Sequence, residues 1–297
     1  MRITQTMLSN NMLNNLMNSQ VKMDKYLEQL YTGKKISRPS DDPVIAMKGI
    51  NYRAQLAQVE QFKRNTGEVN NWMDNSDAAL DNATKAMHRL RDLAVKAGNA
   101  AYGDEELQSI KAEAEQIKLD LIDIANTKVN DKYIFNGTNT SEKPVVFDED
   151  GGLNDIDPTN PVMIEVSNGT RIQANVDASE IFDQGLFDAI DDFIGLLDRD
   201  GTEGESVDIG NTLDSIDEQT TDIINARADL GARMNRLELI ESRLADQEII
   251  ATRTMSNNED IDFEVAITNL ITQESLHRAA LSAGSRVIQP TLIDFLR

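Results

Sequence analysis

Apolar residues recur at intervals of three and four through both ends of this chain and lose that spacing in between. Over residues 5–31, Leu13, Leu16, Met23, Leu27 and Leu30 share one stripe, with Gln20 as its polar member. That period predicts an amphipathic helix. Gly33, Pro39, Pro43 and the small polar residues around them end it. Asp42 reads as an N-cap with Pro43 at the first helical position. The helix it opens is expected to run from about 43 to about 98, with Gly67 as a point of interruption. After a turn at Gly98–Asp104, a helix over 104–128 carries Leu107, Ile110, Ala114, Ile117, Leu121 and Ile124 at an unbroken 3,4 spacing, the seam of a coiled coil.

The pattern changes after Val129. Tyr133-Ile134-Phe135 and Val145-Val146-Phe147 are short β-type runs. Val162–Val166 and Arg171–Val176 flank Ser167-Asn168-Gly169-Thr170, a hairpin signal. Leu186, Ile190, Phe193 and Leu197 then mark a short amphipathic helix. The longest seam follows: Ile209, Leu213, Ile216, Thr220, Ile223, Arg227, Leu230, Met234, Leu237, Glu241, Leu244, Glu248, Ala251 and Met255. A helix of that length spans about 70 Å at 1.5 Å per residue. Gly231 on it is a position that close helix packing can use. A last helix over about 260–289 places Phe263, Ile267, Leu270, Leu281 and Ile288 on one stripe, and Pro290 ends it.

The order is helical, then β, then helical. The fold class expected is mainly α: a long antiparallel, coiled-coil-like helical rod formed by both chain ends, with a small β-containing insert domain. Residues 1–42 and 256–297 are expected to be terminal assembly helices, disordered in the free monomer. Residues 43–130 and 181–255 form the helical rod, and 131–180 the insert.

Charge sharpens this division. The chain of 297 residues has a net charge of −22. Residues 1–139 hold 18 acidic and 18 basic residues, 140–222 hold 22 and 3, and 223–297 hold 11 and 8. Neutral ends can pack against copies of themselves, whereas an acidic middle stays solvated. Nucleic acid and anionic membrane surfaces are disfavoured as partners. No apolar run reaches the length of a membrane span, and the N-terminal stretch lacks the marks of a cleaved signal peptide.

Candidate chemistry is sparse. Cysteine is absent, which removes disulfides, thiolate metal sites and thiol nucleophiles. The two histidines, His88 and His277, both fall on expected helices, and no metalloprotease, phosphate-loop, dinucleotide or nucleophile-elbow motif occurs. Asp148-Glu149-Asp150-Gly151 and Asp198-Arg199-Asp200-Gly201 read as solvated acidic turns, because neither has calcium-loop spacing. No catalytic, cofactor or metal site is expected.

Specific stretches carry a family resemblance. Gly33-Lys34-Lys35-Ile36-Ser37-Arg38-Pro39-Ser40-Asp41-Asp42-Pro43 resembles the loop after the first helix of flagellins. Leu90-Arg91-Asp92-Leu93-Ala94-Val95-Lys96-Ala97-Gly98-Asn99 is similar to the family's R-I-R-E-L-A-V-Q-A-A-N helix. Ala228-Asp229-Leu230-Gly231-Ala232-Arg233-Met234-Asn235-Arg236-Leu237-Glu238 resembles its R-A-D-L-G-A-x-x-N-R-L-E segment, and Asn269–Gln273 with Gln289-Pro290 resembles its terminal helix. The two prolines at 39 and 43, and Tyr133-Ile134-Phe135-Asn136-Gly137, depart from flagellin toward the junction proteins of the same superfamily.

The resemblance implies a structural flagellar subunit in the layer between hook and filament, on which flagellin polymerises. Its partners would be further copies of itself in a ring or tube layer, a neighbouring hook-associated junction protein, flagellin, and an export chaperone holding the C-terminal segment. Export would be extracellular, by the flagellar type III route, without a cleaved signal. The assembly interface would be Leu13, Leu16, Met23, Leu27, Leu30, Phe263, Ile267, Leu270, Leu281 and Ile288. The family loop would be marked by Gly33, Arg38, Pro39, Asp41, Asp42 and Pro43. Rod packing would fall to Leu90, Leu93, Leu230, Gly231, Asn235, Arg236 and Leu237. The alternatives are flagellin itself and a cytoplasmic coiled-coil scaffold or signalling protein. The scaffold explains the heptads but neither the paired terminal motifs nor the charge division. An enzyme carried as an insert is weakened by the lack of histidine between His88 and His277.

Overall fold

The computed structural model describes residues 5–98, 103–147, 160–197 and 210–287. Among the described residues, six α-helices and four short strands run in the order α1 (Gln5–Thr32), α2 (Pro43–Ala97), α3 (Asp104–Ala125), β1 (Lys128–Val129), β2 (Lys132–Tyr133), β3 (Met163–Ser167), β4 (Thr170–Gln173), α4 (Gln184–Leu197), α5 (Gly210–Glu259) and α6 (Phe263–Val287). The two acidic turns and Ile288 lie outside the described residues. The chain divides into two compact units: residues 1–58 with 247–297, and residues 59–246.

The second unit holds the core. Met73, Leu80, Met87, Leu90 and Leu93 of α2 are buried with Leu107, Ile117 and Leu121 of α3 and with Ile216, Ile223, Leu230, Leu237 and Leu244 of α5. The α3 and α5 residues are those of the expected seams, whereas on α2 only Leu90 and Leu93 belong to the expected packing set. Gly67 does not interrupt α2. Its penalty of about 1 kcal/mol relative to alanine is outweighed by burial of Val69, Trp72 and Met73 in the following turns. Ion pairs flank the seams: Arg227 spans Asp77 (2.8 Å) and Asp81 (2.6 Å), and Arg91 holds Asp217 (2.5 Å).

Helix α3 stops three residues short of the expected 128. Asn126 caps it, and its side chain donates to the Val145 carbonyl (3.0 Å) and accepts from the Val145 amide (3.2 Å). The backbone then enters two hairpins. Asn130 and Asp131 both take positive φ, 51° and 62°, as a two-residue turn of the primed type requires. Gly169, φ 72°, turns β3 into β4 where the Asn-Gly signal places it. Of the two shorter β-type runs, only Tyr133 joins a strand. Ile134, Phe135 and Val145 are buried without a ladder, and Phe135 packs edge-on to Phe182 with centroids 5.4 Å apart. Helix α4 presents Leu186, Ile190, Phe193 and Leu197 to this core.

Candidate assembly surface

The first unit is built around α1 and α6, which pair antiparallel. Ser19 of α1 meets both Gln273 and His277 of α6, at 2.9 Å and 3.2 Å, and Met12 lies against Gly284. At the other end Gly33 approaches Phe263. The less exposed positions on α1 are Ser9, Met12, Leu16, Ser19, Met23, Tyr26 and Leu30, with Gln29 beside the last; on α6 they are Ala266, Leu270, Gln273, His277, Ala280 and Gly284, with Glu274 beside Gln273. Apart from Gln29 and Glu274, both runs follow a 3,4 spacing. Small residues let the backbones close in, and the Ser19, Gln273 and His277 layer fixes the register of the pair.

The seam therefore differs from the single stripe expected. Leu16, Met23, Leu30 and Leu270 lie in it, half-buried, while Leu13, Leu27, Phe263, Ile267 and Leu281 are exposed. Most of the exposed set directly follows a seam residue: Leu13 after Met12, Leu27 after Tyr26, Ile267 after Ala266, Leu281 after Ala280. Met17, Tyr31 and Ile271 do the same and are also exposed. One residue advances the helix by about 100°. In an antiparallel pair that rotation carries both helices' residues to the same side. The result is one face with apolar residues toward both ends and Gln20, Asp24, Glu274 and Arg278 across its middle. Periodicity could not separate the two stripes, because serine, glutamine and glycine carry part of the seam.

The family loop links α1 to α2 and is tied down on both sides. Gly33 turns at φ 70°, and its carbonyl accepts from the Ile261 amide (2.9 Å). The Lys35 amide donates to the Glu259 carbonyl (2.7 Å). Asp41 accepts from the Ser37 and Arg38 amides at 3.2 Å and 3.0 Å, Arg38 being the stronger cause holding its carboxyl below the ordinary aspartate value. Asp42 caps α2 through the Val44 and Ile45 amides (2.9 and 3.1 Å), with Pro43 at the first position.

A charged knot sits beneath this loop. Glu259 is buried, and its Oε2 receives Arg53 at 2.7 Å and Lys34 at 3.5 Å. Lys34 also holds Asp260 at 2.6 Å, and Ser256 donates to the same carboxylate. These bonds lower the Asp260 pKa, Lys34 being the main cause, and raise those of Lys34 and Arg53. Glu259 enters only because residue 49 is glycine: a Cβ there would stand 2.5 Å from Oε1. Glu259 and Gly49 were not singled out by motif. Their signal is a buried acid opposite a mid-helix glycine, which only the fold reveals.

The packing set is divided. Leu90, Leu93, Leu230 and Leu237 are in the core of the second unit. Gly231 is half-buried with open space where a Cβ would be, and Asn235 and Arg236 are exposed. No cluster of three or more potential metal ligands occurs among the described residues, and no described helix is long and apolar enough to cross a membrane.

Comparison with known proteins bears on this surface. Residues 3–140 match the family model described as the bacterial flagellin N-terminal helical region, and residues 213–296 match its C-terminal counterpart. Flagellar hook-associated protein 3 of Escherichia coli K12 is 24% identical over 95% of this chain and 96% of its own length. Flagellin of Bacillus subtilis is 24% identical over 93% and 94%. Among solved structures, the chain is similar in fold to flagellar hook associated protein-3 of Legionella pneumophila (TM-score 0.64, 17% identity, covering 69% of this chain and 97% of that one). It is likewise similar to FlgL of Bacillus cereus (TM-score 0.59, 24% identity, 69% and 99%). The two matched regions contain the whole α1–α6 pair and the family loop, and the chain belongs to the bacterial flagellin family.

Proposed function

We propose that this chain is a structural subunit of the flagellum that forms the layer between hook and filament, on which flagellin polymerises. The observation that carries the reading is the apolar face of the α1–α6 pair, with Met17, Tyr31, Ile267 and Ile271 in solvent. Burying one such side chain contributes about 1.5–3 kcal/mol, and a closed layer repeats the gain in every subunit. Copies of the chain pack through this face, with flagellin and a neighbouring junction protein on either side. Hook-associated protein 3 of two species matches over nearly its whole length, and Pro39, Pro43 and Tyr133-Ile134-Phe135-Asn136-Gly137 lead from flagellin toward the junction proteins. The acidic span 140–222 keeps outer surfaces apart.

The chain acts without catalysis and leaves the cell through the flagellar type III apparatus, with a chaperone holding its C-terminal segment until export. Electron microscopy of a deletion strain tests the role. Intact hooks without filaments, with unpolymerised flagellin in the medium, are expected. Complete filaments in that strain would remove the junction role.

A further inference from the structure

Between the family loop and the start of α2 lies an open cavity of about 110 Å³, several times the roughly 10–15 Å³ that one water needs. Ile36, Pro39, Ile45 and Ile50 supply apolar wall, and Arg38 and Arg53 supply charge. Arg53 uses one nitrogen on buried Glu259, and its side chain remains 63% exposed. The Arg38 guanidinium makes no hydrogen bond or ion pair with the described residues. Around them, residues 33–64 hold 7 basic and 3 acidic residues in a chain of net charge −22.

The acidic span offers a matching surface. Asp214, Glu218 and Asp222 stand at i, i+4 and i+8 on α5, all exposed and none ion-paired among the described residues. Like charges at that spacing destabilise a helix, and a cation laid across them reverses the effect. Asp217 beside them is already held by Arg91, and Asp191 on α4 by Lys118. The row at 214–222 is thus an uncompensated one.

The geometry points to a contact between copies in which the Arg38–Arg53 notch of one subunit receives the Asp214, Glu218 and Asp222 row of the next. Guanidinium groups bind carboxylates through paired hydrogen bonds, and the apolar wall around the notch shields them from solvent. The inference rests on the junction reading, because it needs copies side by side. It assigns the contact its own residues, distinct from the apolar α1–α6 face.

The absence of cysteine provides the test. Ser37 lines the notch, so a full-length Ser37→Cys, Glu218→Cys double variant is expressed in the deletion strain. Hook–filament particles are sheared from cells whose filaments attach normally, then treated with a mild oxidant. Reducible dimers and longer multimers are expected from the double variant and from neither single one. Normal particles without cross-links overturn the contact. Should the cysteine variant fail to assemble, charge exchange decides. Arg38→Glu and Glu218→Arg are each expected to remain secreted but lose most attached filaments, and their combination to restore them. Failure of the combination to restore attachment overturns the contact. Absence of the wild-type chain from the particles overturns the junction reading itself, and the contact with it.

Discussion

The two units of this chain use apolar residues in opposite ways. In the second unit, Leu80, Met87, Leu90, Leu121, Phe193 and Leu230 are wholly enclosed. In the first, the only buried apolar side chains among the described residues are Ala251 and Ala266, while Met17, Tyr31, Met47, Ile50, Ile267 and Ile271 stand in solvent. One unit closes its core within a single chain. The other has the heptads of a packed helix pair, yet its seam residues are only half-buried and many of its large side chains lie beside the seam in solvent. On the proposed reading, stability falls to residues 59–246 and assembly to the paired ends.

The comparison can be broken first at its stable side. Leu90→Ala removes a fully buried side chain and should cost about 2–5 kcal/mol in denaturant unfolding of the monomer. A loss below about 1 kcal/mol would mean that the second unit is not a tightly packed core. The first unit has its own point of strain. Gly49→Ala would place a methyl against Glu259 Oε1, and overpacking of this kind costs about 1–3 kcal/mol. Hydrogen exchange should speed up at 33–42 and 256–262 and stay unchanged in α3.

Smaller effects sharpen the seam and the knot. Ser19→Ala deletes the hydroxyl that meets both Gln273 and His277 and should cost about 1 kcal/mol, read as faster exchange in α1 and α6 alone. Asp260 has a lowered pKa, so its contribution is present above the ordinary aspartate value and is lost as pH falls through the folded-state value. Lys34, with its pKa raised, contributes below its ordinary value and loses that contribution as pH rises through the folded one. Protection of 33–42 should therefore persist from about pH 4 to about pH 10 and decline outside that window. Asp260→Asn should flatten the acid limb.

Sequence was most informative where large side chains carry the period. The seams of α3 and α5 follow Leu121, Ile216 and Leu230, and the Asn168-Gly169 turn is where its backbone chemistry requires. The helix ends at Asp42 and Pro43 were legible for the same local reason. The α1–α6 seam was only half legible, because Ser19, Gln273, Ala280 and Gly284 signal neither core nor surface to a hydrophobic period. The Glu259 knot was not legible at all. It joins Lys34 and Arg53 to a residue more than two hundred positions away, and no local pattern carries that information.

The central claim is that the exposed α1–α6 face serves assembly and not the monomer's own fold. Ile267 is 46% exposed on that face, so Ile267→Asp places a carboxylate in water in the monomer and inside the apolar contact in the assembled layer. Thermal unfolding of the purified full-length variant should match wild type, and secretion should be normal, while cells carrying it lose attached filaments. Normal secretion with filaments attached as in wild type would contradict the account, as would a clear drop in the monomer's unfolding temperature.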